Sequence, residues 1–247
     1  DELKGAIRFE AEKHIPFPID DCIVDHQILK TNDREGKLEI LLVAAKADFV
    51  MNKVSIAEES GFSVSAVDVD TFALANAFLK GPPHIPAGKA AALLSIGSDF
   101  TNVGIVRDGV LCFARDIAIG GNDFNQAISK ALSIDIRGAE DVKLSPGDRL
   151  QDVIACTKGI MNNLLDDTRL SLSYYENQSG KGVDEICISG GPSVMPGFEI
   201  LFQEAFESKP VFWDPLDPLN KSPGGFDAVS IEKMKSSFAV AVGLALR

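Results

Sequence analysis

Residues 91–121, AALLSIGSDFTNVGIVRDGVLCFARDIAIGG, limit what the rest of the chain can build around them. Three apolar runs follow one another with almost nothing between them, at 92–96, 101–106 and 110–117. Each is short and rich in Val, Ile, Leu and Phe, so each reads as a strand. Gly97-Ser98-Asp99 turns the first corner and Asp108-Gly109 the second. Asp-Gly between apolar runs is a strong hairpin signal, because a type I′ turn needs φ > 0 at both central residues. The stretch ends in Gly120-Gly121, where a helical pattern opens. A tight glycine turn between strands, with a glycine pair at a helix start, lets backbone N–H groups face a phosphate. A plain β-meander with a glycine corner fits the same pattern, and these residues alone leave both readings open.

The chain has 247 residues, 45% of them apolar, enough for one large domain or two small ones. A net charge of −12 argues against a nucleic-acid groove and against an electrostatic membrane anchor. Cys22, Cys112, Cys156 and Cys187 lie in apolar runs or helical patterns without CxxC spacing. They read as small buried hydrophobes in a reducing compartment. His14, His26 and His84 form no HExxH or Cys/His cluster, so no zinc site is expected. The longest uninterrupted apolar stretches, 40–45 and 238–246, are too short to span a bilayer, and no signal peptide is read. The chain opens at Asp1 directly in a helical pattern, and a fragment or trimmed chain is expected.

Residues 2–14 place Leu3, Ile7 and Ala11 on one helical stripe, with Ala6 and Phe9 near it, and Pro16 and Pro18 end the helix. Residues 22–29 alternate as a half-buried strand, 31–37 form a polar loop, and 38–45 a second strand. Asp48 is placed to cap a helix carrying Val50, Val54 and Ala57, with Gly61 as its stop. Residues 62–69 read as a third strand, completing a compact α+β module. Asp70 reads as the cap of a helix over 71–79, and Asp68 as a strand end rather than half of a carboxylate pair. GPPHIPAGK (81–89) reads as a domain linker with His84 as a linker residue.

Downstream, Asn122 is placed to cap a helix over 123–132 with Phe124, Ala127, Ile128, Ala131 and Leu132 inward. A charged excursion over 133–150 holds a helix at 137–143. The longest periodic run, 152–176, puts Val153, Ile160, Met161, Leu164, Leu165, Thr168, Leu172 and Tyr175 on one stripe. Tyr174 and Tyr175 read as packing. A strand over 184–189 runs into Gly190-Gly191, followed by a loop, a helix over 197–206, a strand over 211–213, a Pro/Gly/Asn loop over 214–225 and a final helix over 236–246. Strands alternating with helices predict a layered α/β domain.

Three pieces in this order resemble the actin-like ATPase superfamily: the strand–Gly97–strand hairpin, Gly120-Gly121, and ISGGPSVMPGF over 188–198, which looks like its adenosine motif. Within that superfamily, SIGSDFTNVGIVRDGVLCFARDIAIGGNDFNQAI resembles the PilM family of type IV pilus assembly, a relative of FtsA. So do AEKHIPFPIDD, VDVDTFALANAF, Arg169 and Tyr174 in RLSLSYY, and FAVAVGLALR, which together cover nearly the whole chain.

The resemblance implies an α/β, actin-like (ribonuclease H-like) ATPase fold with a small inserted α+β 1C (SHS2-type) module, the N-terminal strands of subdomain 1A being missing. It assigns 1–65 to 1C, 66–88 to a remnant of 1A with a linker, 89–235 to subdomains 2A and 2B, and 236–247 to a helix returning to 1A. It implies a cytoplasmic adaptor, peripheral at the inner membrane, serving pilus assembly and twitching motility or related type II secretion. Such an adaptor binds ATP with Mg²⁺ between its lobes and docks the cytoplasmic N-terminal peptide of a PilN-like inner-membrane protein in a groove involving 1A and 1C. Self-association is implied, and neither nucleic-acid binding nor membrane insertion.

Carried over, the nucleotide contacts are Ser95, Gly97, Ser98, Asp99, Gly120, Gly121, Arg169, Ser173, Gly190, Gly191 and Pro192. Two departures weaken the chemistry. The family's first phosphate motif, an Asp-Ile-Gly strand turn, is missing, and Ser95 stands where the second motif has Asp. A neutral hydroxyl is a poor Mg²⁺ ligand and no base near neutral pH. The expectation is weak or absent nucleotide binding and no effective ATPase activity, with no catalytic or metal residue assigned. Asp99 reads as a turn former, with a substitute ligand as the alternative. The alternative functions are an active ATPase or kinase of the same fold and an FtsA-like filament protein.

Overall fold

A computed structural model describes residues 2–32, 37–81, 85–217 and 228–247. Most of the loop expected over 31–37, His84 with the two prolines before it, and much of the loop over 214–225 lie outside the described residues. The chain divides into two compact units, 1–67 and 68–247.

The first unit runs α1 (Glu2–Glu12), β1 (Cys22–Asn32), β2 (Lys37–Lys46) and α2 (Ala47–Glu59). The strands form an antiparallel pair, with Cys22 opposite Lys46 and a bulge between Ile28 and Lys30. Along β1, Val24 and His26 are half-buried while Ile23 and Asp25 face out, as the alternation requires. Ile7, Ala11 and Ile19 are the buried hydrophobics described here, whereas Phe9 is exposed. Two expectations fail. Asp48 does not cap α2: Lys46 holds the cap position, and the Asp48 carboxylate accepts the N–H of Phe49 inside the first turn. Its charge there still complements the helix dipole. Residues 62–69 join neither sheet: a run that reads as a strand pairs only where the fold lays it along a strand edge, and here it does not.

The second unit comprises α3 (Asp70–Lys80), β3 (Ala90–Ile96), β4 (Thr101–Arg107), β5 (Val110–Ile117), α4 (Gly121–Leu132), α5 (Ile136–Leu144), α6 (Leu150–Ser179), β6 (Glu185–Ser189), α7 (Phe198–Phe206), β7 (Val211–Phe212), α8 (Ala228–Met234) and α9 (Ala239–Ala245). Its five-stranded sheet has the order β5-β4-β3-β6-β7. The meander β3–β4–β5 is antiparallel, and β6 and β7 add in parallel. Asp108 (φ +50°) and Gly109 (φ +77°) both take positive φ in the turn between β4 and β5, as a type I′ turn demands.

β3 is buried along its whole length, and its alternation divides the core. Ala92, Leu94 and Ile96 face α6 and α7 beside Met161, Leu164, Phe198 and Phe202. Ala91 and Leu93 face the other side, where α3 and α9 contribute Leu74, Phe78, Ala239 and Val242. Residues 66–88 and 236–247, set apart in the sequence reading, thus supply the two helices that cover one face of this sheet. A Cβ on Gly243 would stand 1.7 Å from the Ala73 carbonyl oxygen, so α9 crosses α3 in backbone contact.

Several boundaries differ from expectation. Val69 holds the cap position of α3, with Asp70 in the first turn. Gly120, not Asn122, precedes α4, and Ala131 on that helix is exposed. α8 was not foreseen, and the last helix begins with a 3₁₀ turn over Lys235–Phe238. Of the cysteines only Cys187 is buried; Cys112 is exposed on the edge strand β5, and Cys22 and Cys156 are half-buried.

Candidate functional site

β3 and β6 run in parallel side by side, with Ser95 opposite Ser189, and both end at the same edge of the sheet. Open α/β sheets bind ligands in the crevice outside such carboxyl ends. Three glycine-containing turns far apart in sequence meet there. In the first, the Gly97 N–H donates to the Phe100 carbonyl at 2.9 Å and closes the corner between β3 and β4. The second is the start of α4, where Gly121 N–H reaches the Gly97 carbonyl at 2.8 Å and Asn122 N–H the Ser98 carbonyl at 2.7 Å. A Cβ on Gly120 would lie 2.5 Å from the Ser98 carbonyl oxygen, so only glycine permits this contact. The third is Gly190-Gly191-Pro192. Gly190 lies at φ +96°, and a Cβ there would stand 2.1 Å from the Ile96 carbonyl oxygen. A Cβ on Gly121 would come within 2.9 Å of the Pro192 ring, which brings the second and third turns together.

These glycines are needed first for backbone-to-backbone packing, and the packing leaves donors over. The N–H groups of Ser98 and Asp99 have no acceptor among the described residues. Asp99 is engaged as a turn former: it accepts from Asn122 Nδ2 and from Ser98 Oγ, both at 2.8 Å. Those two bonds, Asn122 first, hold its carboxyl below the usual range. This explains why Asn122 is not the cap of α4: its side chain ties the helix to the first turn. The cap is completed by Asp123, whose carboxylate accepts the Gly120 N–H at 2.8 Å. Ser95 is 6% exposed at the end of β3, directly beneath the first turn.

Sequence reasoning missed the charged part of the site. Lys143 on α5 is only 2% exposed, and its Nζ donates to Glu140 Oε2 at 2.7 Å and to the Gly121 carbonyl at 3.5 Å. Asn125 Nδ2 donates to the same Glu140 oxygen at 2.6 Å, and Asn125 Oδ1 is buried with no partner. Burial pushes the Glu140 carboxyl up, but the bonds from Lys143 and Asn125 and the Lys143 charge outweigh it, and the group ends below its ordinary value. The available signal was Glu140 and Lys143 at i,i+3 in the helix expected over 137–143, which reads equally as a solvated pair.

Two carried-over residues, Arg169 and Ser173, lie on α6 away from the three turns. Arg169 lies in the groove between α6 and α7, bonded to Asp166 Oδ1 at 2.6 Å and to the Ala205 carbonyl, with its guanidinium over the Phe206 ring. Ser173 is exposed on α6. Helix periodicity turns both away from the stripe of α6 that faces the sheet, apart from the three turns.

A family profile described as type IV pilus assembly protein PilM matches residues 1–247. The chain belongs to the PilM family. Its fold is actin-like. The solved PilM-PilN type IV pilus biogenesis complex superposes with a TM-score of 0.86 at 25% identity, covering 100% of this chain and 72% of that one. MreB 5 of Spiroplasma citri bound to AMPPNP shares the fold with a TM-score of 0.56 at 15% identity, over 82% of this chain and 64% of that one. The ethanolamine utilization protein EutJ of Salmonella typhimurium strain LT2 is 24% identical over 153 residues, 62% of this chain and 49% of EutJ, so the match spans about half the length of that relative. No described helix is long and apolar enough to cross a membrane.

Proposed function

We propose that this chain is an actin-like adaptor of type IV pilus assembly that carries a nucleotide at the three-turn cluster and docks the cytoplasmic N-terminal segment of a PilN-like inner-membrane protein. The observation that carries the nucleotide half is the convergence of the Gly97, Gly120 and Gly190 turns around unpaired N–H groups, with the buried Lys143 ammonium beside them. Unpaired donors and a fixed cation suit a phosphate, and the orphan Asn125 Oδ1 suits a donor from a base or ribose. The AMPPNP in the MreB 5 structure supports the ligand class, and the partner in the PilM-PilN complex supports the docking half.

Ser95, Gly97, Ser98, Asp99, Gly120, Gly121, Gly190, Gly191 and Pro192 shape the nucleotide cluster in this reading, with Lys143, Glu140 and Asn125 added. Ser95 brings a hydroxyl rather than a carboxylate, so the cluster positions a nucleotide without supplying a general base. Carriage rather than rapid turnover is the consequence. The protein is placed at the cytoplasmic face of the inner membrane through its partner.

Thermal melting with increasing Mg·ATP tests the first half. The midpoint rises with ligand concentration, and Lys143→Met weakens the apparent affinity by about tenfold. No shift at any ATP concentration overturns the nucleotide half. A binding titration with the cytoplasmic segment of a PilN-like protein tests the second half, and its failure to bind overturns the adaptor half alone.

A further inference from the structure

The opposite end of the five-stranded sheet holds a second, unrelated set of charges. A cavity of about 370 Å³ opens there, lined among others by Gly88, Lys89, Arg107, Lys181, Gly182 and Asp184. Arg107 is the last residue of β4, paired across the sheet with Ala90, and is 9% exposed. Its Nη2 donates to the Gly182 carbonyl at 2.8 Å, and its guanidinium lies 5.6 Å from the centre of the Tyr175 ring. Its Nε is buried with no acceptor, and no carboxylate lies within ion-pair distance of it among the described residues.

A guanidinium cannot shed its charge, and a buried charge without a counter-ion is costly. Asp184 feels the Arg107 charge, but its hydrogen bonds, like those of Asp108, go to other groups. Asp184 accepts from Lys89 Nζ at 2.6 Å and from the Ala90 N–H at 2.8 Å. Asp108 accepts the Gly88 N–H at 2.7 Å, and Glu176 stands beside Gly182. The Asp184 carboxyl is held below its usual range, first by the Lys89 bond, then by the Ala90 N–H, with the Lys89 and Arg107 charges adding to both. Lys181 contributes a further ammonium at the rim.

We propose that this basal cavity binds a phosphate-class oxyanion, with Arg107 as its fixed fork and Lys181 and Lys89 as point charges around it. Three cations carried by three separate chain segments line the cavity. That suits a tetrahedral dianion, whereas a planar carboxylate is satisfied by one bidentate contact. Free inorganic phosphate and the phosphoryl group of a small phosphomonoester present the same chemistry. The site is separate from the glycine cluster, and its test does not depend on nucleotide binding.

The test is a thermal-shift titration of the whole chain with inorganic phosphate and with glycerol phosphate, against chloride and acetate at matched ionic strength. Four proteins are compared: the wild type, Arg107→Met, Lys181→Ser and Lys143→Met. The wild-type midpoint rises with one or both phosphates above the chloride and acetate curves, and the stronger of the two names the source. Lys181→Ser, on the exposed rim, raises the half-saturating concentration by about tenfold. Arg107→Met removes a component of the phosphate response that Lys143→Met, altered at the glycine cluster, retains, so the two variants separate the basal cavity from that cluster. Should Arg107→Met fail to fold, Lys181→Ser decides alone. A wild type that responds to no phosphate, an acetate response equal to the phosphate response, or a response lost only in Lys143→Met overturns the proposal.

Discussion

Single positions set how closely the backbone segments of this protein approach one another. Gly190 and Gly109 both have positive φ, but only Gly190 also lacks room for a side chain. Gly190→Ala should cost about 4 kcal/mol or more, combining a strained backbone with overlap against Ile96, while Gly109→Ala in open space should cost about 1 kcal/mol. Urea unfolding of the two variants checks the contrast, and similar losses would show that packing at Gly190 is not the cause. Glu140 carries the pH prediction. Its folded carboxyl lies below the ordinary value of 4.5, so its contribution to stability is fully present above that pH and is lost as pH falls through the folded value. Glu140→Gln should therefore destabilise at neutral pH, where it strips the buried Lys143 of its counter-charge, and the gap to wild type should narrow as pH falls below 4.5 through the folded value. Denaturant midpoints across that range measure it; a gap independent of pH refutes it. The glycines were legible in the sequence because they break patterns. Their reasons were not: the contacts at Gly120 and Gly190 are to backbone atoms of Ser98 and Ile96, residues far away in the chain.

At the scale of elements, periodicity located the strands of the meander and the long helix well. The expected 110–117 strand is β5 as observed, and the buried stripe of α6 contains Val153, Met161, Leu164, Leu165, Thr168 and Tyr175 as read. Caps were read less well. Asp48, Asp70 and Asn122 each sit inside the first turn rather than before it, because an acidic or amide side chain is favourable at both places. The strand expected over 62–69 failed for a different reason, since pairing needs a partner edge that local composition does not report. The α3–α9 crossing is the element contact most exposed to a small change. Gly243→Ala would drive a methyl group into the Ala73 carbonyl and should cost about 3 kcal/mol. Trp213, which packs edge-on against Phe78 of α3 at 5.4 Å, is the chain's single tryptophan and reports the change. Its fluorescence should shift to the red at lower denaturant in the variant, and an unchanged midpoint would refute the tight crossing.

For the whole molecule, stability should be uneven between the two units. The second holds a five-stranded sheet whose central strands β3, β4 and β6 are buried, whereas the described core of the first is Ile7, Ala11 and Ile19. Amides of β1 and β2 should exchange with solvent well before those of β3, β4 and β6, because local opening exposes little apolar surface there. Hydrogen exchange read by mass spectrometry checks this, and uniform protection would contradict it. The sequence by itself determined the alternation of elements, the meander with its Asp-Gly turn, the apolar stripe of α6, and the family to which the chain belongs. All of these are periodic or contiguous in sequence and need only local geometry. The tertiary structure alone decided that three distant glycine turns meet at the ends of β3 and β6, that Lys143 is buried beside them, and that Arg169 and Ser173 face elsewhere. It also decided that Arg107 is a buried cation whose Nε finds no acceptor, at the far end of the sheet. Proximity between residues far apart in sequence, and the loss of water around a charge, follow from how the layers pack, and no local pattern encodes them.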